Sequence, residues 1–283
     1  MELIFSLSKS YLTNISLNGP IPNSNRCVSE VKRERKSNSH FKETKLLDDE
    51  KTSIIANFLT NHQTIEYFDL RGNLIGDEGA IAVGNLLGTN STPKLKTLDL
   101  SGNQIGERGA TALAEGLSKN TSVKHVILYD NKFGPSGATS LAEMLKSNST
   151  IKEFFVGGNQ IGDEGASSFG DMLQTNSTLD NLSLPSKRVF FIFLQTKENN
   201  IGDDGVSKIA DGMKSNQLCK LRVLDLAKNA FSKVGGEALY STIAFNLYLE
   251  RFGMLKASVV PQELSPFSFE HIRETFTTAV EHG

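Results

Sequence analysis

Six asparagines recur along the chain at near-constant spacing, and this repetition constrains the fold more than any other feature. They are separated by 30, 28, 28, 40 and 30 residues. Self-similarity at such a period is typical of a solenoid, in which each unit buries its apolar face only by stacking on its neighbours. The asparagines are Asn73, Asn103, Asn131, Asn159, Asn199 and Asn229.

A nine-residue frame ends at each asparagine, as in "LKTLDLSGN" from Leu95 and "VKHVILYDN" from Val123. Its first, fourth and sixth residues are apolar, and the asparagine is the ninth. Because side chains alternate across a strand, the fourth and sixth point inward while the third, fifth and seventh point outward. The frame therefore predicts a short strand that enters a turn.

Each asparagine should lie inside the stacked turns. Buried backbone groups of a turn cost free energy when they are unpaired. An asparagine amide offers two donors and one acceptor, so it can satisfy such groups in neighbouring turns. We therefore predict a structural asparagine ladder.

A helical pattern follows each asparagine, for example Ala110, Leu113, Ala114 and Leu117. The i, i+3, i+4, i+7 spacing is one face of a helix. Aspartates recur where an N-cap would accept free amides, at Asp77, Asp163 and Asp203. A second asparagine column is predicted to end the helices in the left-handed conformation: Asn61, Asn90, Asn120, Asn148, Asn176, Asn216 and Asn246.

Together these features closely resemble the leucine-rich repeat of the ribonuclease-inhibitor-like type, over roughly residues 45–257. The resemblance implies an α/β solenoid shaped as a horseshoe, with about seven repeats of about 28 residues. A parallel sheet would form the concave face and helices the convex face. Proteins with this repeat include ribonuclease inhibitors, NOD-like receptors and Ran GTPase-activating proteins. What they share is protein binding rather than one chemistry.

The repeat pattern divides the chain into three parts. Residues 1–42 lack it and are predicted to be disordered, although the basic run "KRERK" also allows a nuclear localisation signal. Residues 43–257 form the array. Residues 258–283 form a tail with a predicted short helix that contains Phe269, Ile272, Phe276 and Val280.

One insertion of about 12 residues interrupts the array near 185–196, "PSKRVFFIFLQT". It accounts for the single spacing of 40. A projecting loop with an exposed apolar segment is one interpretation. Translated intron is the other, because a pyrimidine-rich tract encodes such a run of Phe, Ile and Leu.

Composition argues against several classes of function. The net charge of −2 and a pI near 6.2 provide no basic face for nucleic acid or for an anionic membrane. No apolar run approaches the ~20 residues that span a bilayer. Two cysteines, Cys27 and Cys219, favour a reduced intracellular compartment. The chain is predicted to be cytoplasmic, with the nucleus as the alternative.

No catalytic constellation stands out from the repeat. The chain lacks a GxxxxGK[ST] phosphate loop, and its five histidines show no metal-ligand spacing. We therefore predict a non-enzymatic interaction scaffold with no cofactor, metal or small-molecule substrate. The alternative is a GTPase activator of the Ran-specific type, which single-turnover GTP hydrolysis by Ran would reveal.

The predicted partner is a protein, bound on the concave face. Ile127, Tyr129 and Phe155 are apolar at outward positions, either because of β-propensity or because they anchor a partner. Asp69 and Asp99 beside them predict an acidic flank for a basic partner edge. The predicted protein-binding residues are Tyr67, Asp69, Arg71, Asp99, His125, Ile127, Tyr129, Glu153, Phe155 and Asp225.

Overall fold

The computed structural model describes residues 14–16, 46–60, 62–186, 199–243 and 251–253. Within these ranges, three-residue strands alternate with helices. The strands are β1 Asn14–Ser16, β2 Tyr67–Asp69, β3 Thr97–Asp99, β4 His125–Ile127, β5 Glu153–Phe155, β6 Asn181–Ser183, β7 Val223–Asp225 and β8 Arg251–Gly253. The helices are α1 Asp49–Leu59, α2 Asp77–Gly88, α3 Glu107–Lys119, α4 Gly134–Ser147, α5 Gly162–Leu173, α6 Asp203–Ser215 and α7 Lys233–Ile243.

The strands form one parallel sheet in chain order, β1 to β8. From β2 onward, each strand occupies the third to fifth positions of the frame. Adjacent frames pair in register, so that Leu98 lies opposite Val126 and Val126 opposite Phe154. The predicted α/β solenoid, with one strand and one helix per repeat, is confirmed.

The repeat pattern did not lead us to predict β1, which pairs with β2 through Ile15 and Phe68. The signal is nonetheless present, because Leu12, Ile15 and Leu17 fill the three apolar positions of the frame. Pro20 stands where the asparagine would be. The remainder of residues 1–42, predicted to be disordered, lies outside the described residues, as does the helix predicted in 258–283.

The core lies between the sheet and the helices. The apolar positions of the frame are buried, as Leu95, Leu98 and Leu100 illustrate in the second complete repeat. Small residues let facing helices approach closely, since a Cβ on Gly116 would overlap the carbonyl of Gly84 in the helix beside it. Glycine is thus selected at this position for space, despite its low helix propensity.

The ladder asparagines tie successive turns together. Asn159 is fully buried, and its Nδ2 donates to the carbonyls of Leu128 and Val156, each at 2.9 Å. Its Oδ1 accepts from the backbone N–H of Asn131 at 3.1 Å. Because Leu128 and Asn131 belong to the preceding repeat, each amide joins two units. The same role falls to Asn73, Asn103, Asn131, Asn199 and Asn229.

Asp77, Asp163 and Asp203 do not cap their own helices, so that prediction is wrong. An N-cap residue precedes the helix, whereas Asp77 is already the first residue of α2. Its Oδ1 instead accepts from the N–H groups of Gly106 and Gly109, at 2.7 and 3.0 Å, which begin α3 in the next repeat. Gly109 is needed there because a Cβ would lie 2.8 Å from this oxygen. Equivalent contacts come from Asp49, Asp163 and Asp203.

Two central helices lack this support and begin differently. Glu107 and Pro135 replace the aspartate in the repeats before α4 and α5. The glycines that follow, Gly134 and Gly162, adopt φ near +64°, whereas Gly106 at the start of α3 has φ −95°. The left-handed conformation turns the N–H of Gly134 toward the carbonyl of Asn159, at 3.0 Å.

The second asparagine column forms another ladder, which precedes the strands, whereas the first ladder follows them. Of the described members, Asn90 has the predicted left-handed conformation, with φ 52°. The prediction is wrong for Asn120, Asn148 and Asn216, which are extended, and for Asn176, whose φ is not positive. Their amides instead donate to the last turn of the preceding helix, as Asn148 does to Leu117 at 2.9 Å. Their oxygens cap the following turn, so their burial reflects a structural role.

The insertion begins later than the sequence pattern suggests. Pro185 and Ser186 are buried and belong to the turn, because the N–H of Ser186 donates to Ala227 at 2.9 Å. Asn199 then continues the ladder and donates to the carbonyl of Pro185 at 3.2 Å. The extra residues are therefore 187–198, which lie outside the described part of the chain.

Candidate functional site

The candidate site is the side of the sheet that faces away from the helices. We call it the strand face and define it as the third, fifth and seventh frame positions on β2–β7. The third positions are Tyr67, Thr97, His125, Glu153, Asn181 and Val223. The fifth are Asp69, Asp99, Ile127, Phe155, Ser183 and Asp225. The seventh are Arg71, Ser101, Tyr129, Gly157, Pro185 and Ala227.

The centre of the strand face is apolar. Ile127 and Phe155 lie opposite one another on β4 and β5, and both are partly exposed. The rings of Tyr129 and Phe155 are in contact, with centroids 5.8 Å apart and planes inclined by 41°. We call these three residues the apolar centre. Contact between the two rings restrains their orientations without covering them.

A hydrogen-bonded chain fixes the ring of Tyr129. Its hydroxyl lies 2.8 Å from Oγ of Ser183, two strands away on β6. Ser183 in turn hydrogen-bonds the carboxylate of Asp225 on β7. An ionised carboxylate can only accept, so Ser183 gives its proton to Asp225 and Tyr129 donates to Ser183. The ring crosses Gly157, where a Cβ would lie 2.8 Å from Cε1 of Tyr129.

The carboxylate of Asp225 is partly buried. Burial raises the pKa of Asp225 above its ordinary value, against the hydrogen bonds from Ala227 and Ser183. Among the described residues, no lysine or arginine forms an ion pair with it. This carboxylate is therefore more costly to keep ionised than an exposed one.

The predicted acidic flank at Asp69 and Asp99 is partly compensated by Arg71. Arg71 donates through Nε and a terminal nitrogen to both carboxylate oxygens of Asp69, at 2.9 and 2.7 Å. Its Nε also lies 3.2 Å from Oδ2 of Asp99. One guanidinium thus serves two carboxylates, which leaves one net negative charge in this cluster.

Asp99 is the most perturbed acid of the cluster. It is 7% exposed, and burial raises its pKa to about 6 in spite of the nearby Arg71. Its Oδ1 accepts from the N–H of Ser101 at 3.0 Å. Asp69 and Asp225 accept in the same way from the N–H two residues later. These aspartates therefore also stabilise the strand ends.

The remaining predicted residues lie at the third position of the frame. Nδ1 of His125 is 2.9 Å from Glu153, and this hydrogen bond lowers the pKa of Glu153 below its ordinary value. Tyr67 is 43% exposed at the β2 end of the face. All ten predicted residues thus lie on one surface, with an ion cluster at one end and the apolar centre in the middle.

Sequence reasoning missed Ser183 and Gly157, which hold Tyr129 in place. Ser183 could have been found, because "LDNLSLPS" from Leu179 fits the frame and puts it at the fifth position. Gly157 could not, since its role depends on a ring from the neighbouring repeat.

Two kinds of feature are absent from the described residues. No group of His, Cys, Asp and Glu in that part of the chain is arranged to hold a metal ion. No helix there combines the length and apolarity that crossing a membrane requires.

Comparisons with known proteins point to one type of repeat. A family model described as "Leucine Rich repeat" matches residues 61–84, 92–114, 119–142, 147–170, 197–210 and 217–239. Among solved structures, the actin-binding site 2 of leiomodin-1 is similar, with 17% identity and a TM-score of 0.45. That match covers 72% of this chain and 91% of the leiomodin chain. No curated protein matches the chain.

Proposed function

We propose that this chain, whose repeats match the leucine-rich-repeat model, is a non-enzymatic scaffold that binds a protein partner on its strand face. The observation that carries the proposal is the apolar centre, Ile127, Tyr129 and Phe155. Outward strand positions are usually polar when they face water, and the other fifth positions on β2–β7 are aspartate or serine. A contiguous apolar group in that setting is typical of an interface.

Preorganisation strengthens the proposal. Association is weakened by the entropy lost when side chains become ordered on binding. Tyr129 is already restrained by Ser183, by Gly157 beneath its ring and by Phe155 beside it. Such restrained aromatic side chains at the middle of a surface have the composition and position of interface hot spots.

The distribution of the acids favours binding over catalysis. Asp99 and Asp225 have raised pKa values, as general acids often do. They lie four strands apart, however, and adjacent strands are about 4.8 Å apart, which separates them by roughly 19 Å along the sheet. Two carboxylates at that distance cannot act on one bond.

Phe155→Ala in the full-length chain tests the proposal. Affinity purification with the wild-type chain, followed by mass spectrometry, identifies partners, and calorimetry then measures their affinities. We expect Phe155→Ala to weaken binding by about 2 kcal/mol or more. The matched control is Val234→Ala on α7, which truncates an apolar side chain that is 64% exposed, away from the strand face.

Thermal melts separate binding from folding. Phe155→Ala should change the melting temperature little, because its ring is partly exposed rather than part of the core. A partner that binds Phe155→Ala as tightly as wild type, but loses affinity for Val234→Ala, would place the interface on the helices instead.

A further inference from the structure

The strand face is considerably more acidic than the chain as a whole. On β2–β7 it carries four carboxylates, Asp69, Asp99, Glu153 and Asp225, against the single guanidinium of Arg71. With His125 counted as neutral, the arithmetic is −4 + 1 = −3. The entire chain has a net charge of −2. Negative charge is therefore concentrated on the one surface that also carries the apolar centre.

The acids are placed on both sides of the apolar centre. Along the fifth positions, Asp99 on β3 is followed by Ile127 and Phe155, then by Ser183 and Asp225 on β7. Phe155 is thus two strands from each aspartate, about 10 Å at the usual strand spacing. Asp99 is buried and Asp225 is partly buried, so a cation placed beside either carboxylate would interact with it more strongly than in water.

We propose that the strand face binds an extended basic segment of a partner protein, with one apolar side chain on Tyr129 and Phe155 and a lysine or arginine beside each of Asp99 and Asp225. This rests on the proposed function and names the chemistry of its partner. In the extended polyproline II conformation a chain advances about 3.1 Å per residue and completes one turn every three residues, so side chains three residues apart lie on the same face, about 9 Å from one another. The expected pattern is a basic residue, two residues of any type, an apolar residue, two more, and a second basic residue.

Asp225 should make the stronger contact. Asp99 already shares Arg71 with Asp69, whereas Asp225 has only the hydrogen bonds from Ser183 and Ala227 among the described residues. A partner cation would compensate the buried charge of Asp225. Because Asp225 ends the hydrogen-bonded series that orients Tyr129, a cation bound to Asp225 would also affect the ring. The basic and apolar contacts are therefore expected to be coupled.

Selection from a random dodecapeptide display library, with the full-length chain as target, tests the pattern without a known partner. We expect enriched peptides to contain two basic residues that bracket an aromatic or aliphatic one at the stated spacing. Enriched peptides without basic residues would overturn the proposal.

Fluorescence polarisation with synthesised copies of the enriched peptides then tests whether Asp225 pairs with a basic residue of the peptide. Asp225→Asn should weaken binding at least tenfold, while Glu115→Gln on the exposed face of α3 removes the same charge without effect. Replacing the peptide arginine by citrulline, which is neutral and nearly isosteric, gives the same loss with wild-type protein. When both changes are made together, the two losses of affinity should not add, because each change removes the same contact. Independent, additive losses would show that Asp225 and this arginine do not meet.

The remaining outcomes separate this inference from the proposed function. Peptides that lose affinity for Phe155→Ala but not for Asp225→Asn would overturn the basic partner and support the interface. Peptides that lose affinity for neither variant would overturn both proposals.

Deletion of residues 187–198 tests whether the chain itself occupies the strand face, since "KRVFFIFLQTK" is also basic and apolar. Unchanged peptide affinity on deletion supports a strand face that is open to a partner. A tenfold gain would show that this segment competes with the peptide, and would overturn a partner as the primary occupant of the face.

Discussion

The repeats that contain β2–α2 and β3–α3 differ from those that contain β4–α4 and β5–α5, although all four share one buried frame. In the first pair, an aspartate from the preceding repeat holds each helix start, and the strand face carries Asp69, Arg71 and Asp99. In the second pair, left-handed glycines replace that support, and the fifth and seventh positions of the strand face carry no charge. The turns and the exposed face can thus change while the core stays constant.

The largest expected effect concerns what both pairs have in common, the asparagine ladder. Asn159→Ala should lower the free energy of unfolding by about 3 kcal/mol, because buried groups of two repeats lose their partner. Asn229→Ala should cost less, since its side chain makes three of these bonds rather than four and lies near the end of the array. Urea unfolding of both variants measures the difference, and equal losses would contradict the ladder's dependence on position.

A smaller effect should appear in the ion cluster of the first pair. Because burial raises the pKa of Asp99 to about 6 in the folded chain, from an ordinary value of 3.8, the folded state binds more protons between these pH values. The contribution of Asp99 to the free energy of unfolding should therefore fall as the pH rises from about 4 to about 6. The groups that face Asp99 are Asp69 and Arg71 from β2, Ser101 of its own repeat and the apolar Ile127 from β4.

Asp99→Asn removes the free-energy cost of ionising a buried carboxylate, and it keeps an acceptor for the N–H of Ser101. Above pH 6.5 the variant should be more stable than wild type by about 2 kcal/mol, with the absence of the ion pair to Arg71 already included. Below pH 4 the two should match. Urea unfolding at several pH values gives the comparison, with Glu115→Gln as the exposed control. A variant less stable than wild type at pH 7 would mean that the ion pair with Arg71 outweighs burial.

The smallest effect tests the link between repeats directly. Gly134→Ala should cost about 1.5 kcal/mol, because a Cβ at φ +64° is strained even though the space around it is open. Glu107→Asp should reduce that cost, since an aspartate there could accept from the start of α4 and permit the turn seen at α3. A double-mutant cycle in urea measures the coupling. Additive effects would show that the preceding aspartate does not decide the conformation of the turn.

Periodic features were predictable from the sequence. Burial of the frame and of the helical stripe follows from alternation and helical spacing, which are properties of each repeat alone. The pairing of Arg71 with Asp69 was also within reach, because residues two apart on a strand share a face. The prediction of an acidic flank at Asp69 and Asp99 did not take this pairing into account.

Contacts between repeats were not predictable in the same way. That Asp77 serves α3 rather than α2 depends on how closely two helix starts approach, which the spacing of residues does not state. β1 was missed because Pro20 replaces the ladder residue and 53 residues separate Leu12 from Ile65. The binding role of the strand face, and the compartment in which the chain acts, stay predictions.

The aspartate contacts also define how the array can be cut and rejoined. The residue that holds the start of one helix is encoded about 30 residues earlier, as Asp77 and Gly106 show. A repeat excised from strand to strand would leave its helix start without the carboxylate that it needs, whereas a segment from Asp77 through Gly109 carries donor and acceptor together. For anyone who lengthens, shortens or recombines such proteins, the portable module therefore begins at a helix and extends into the next one.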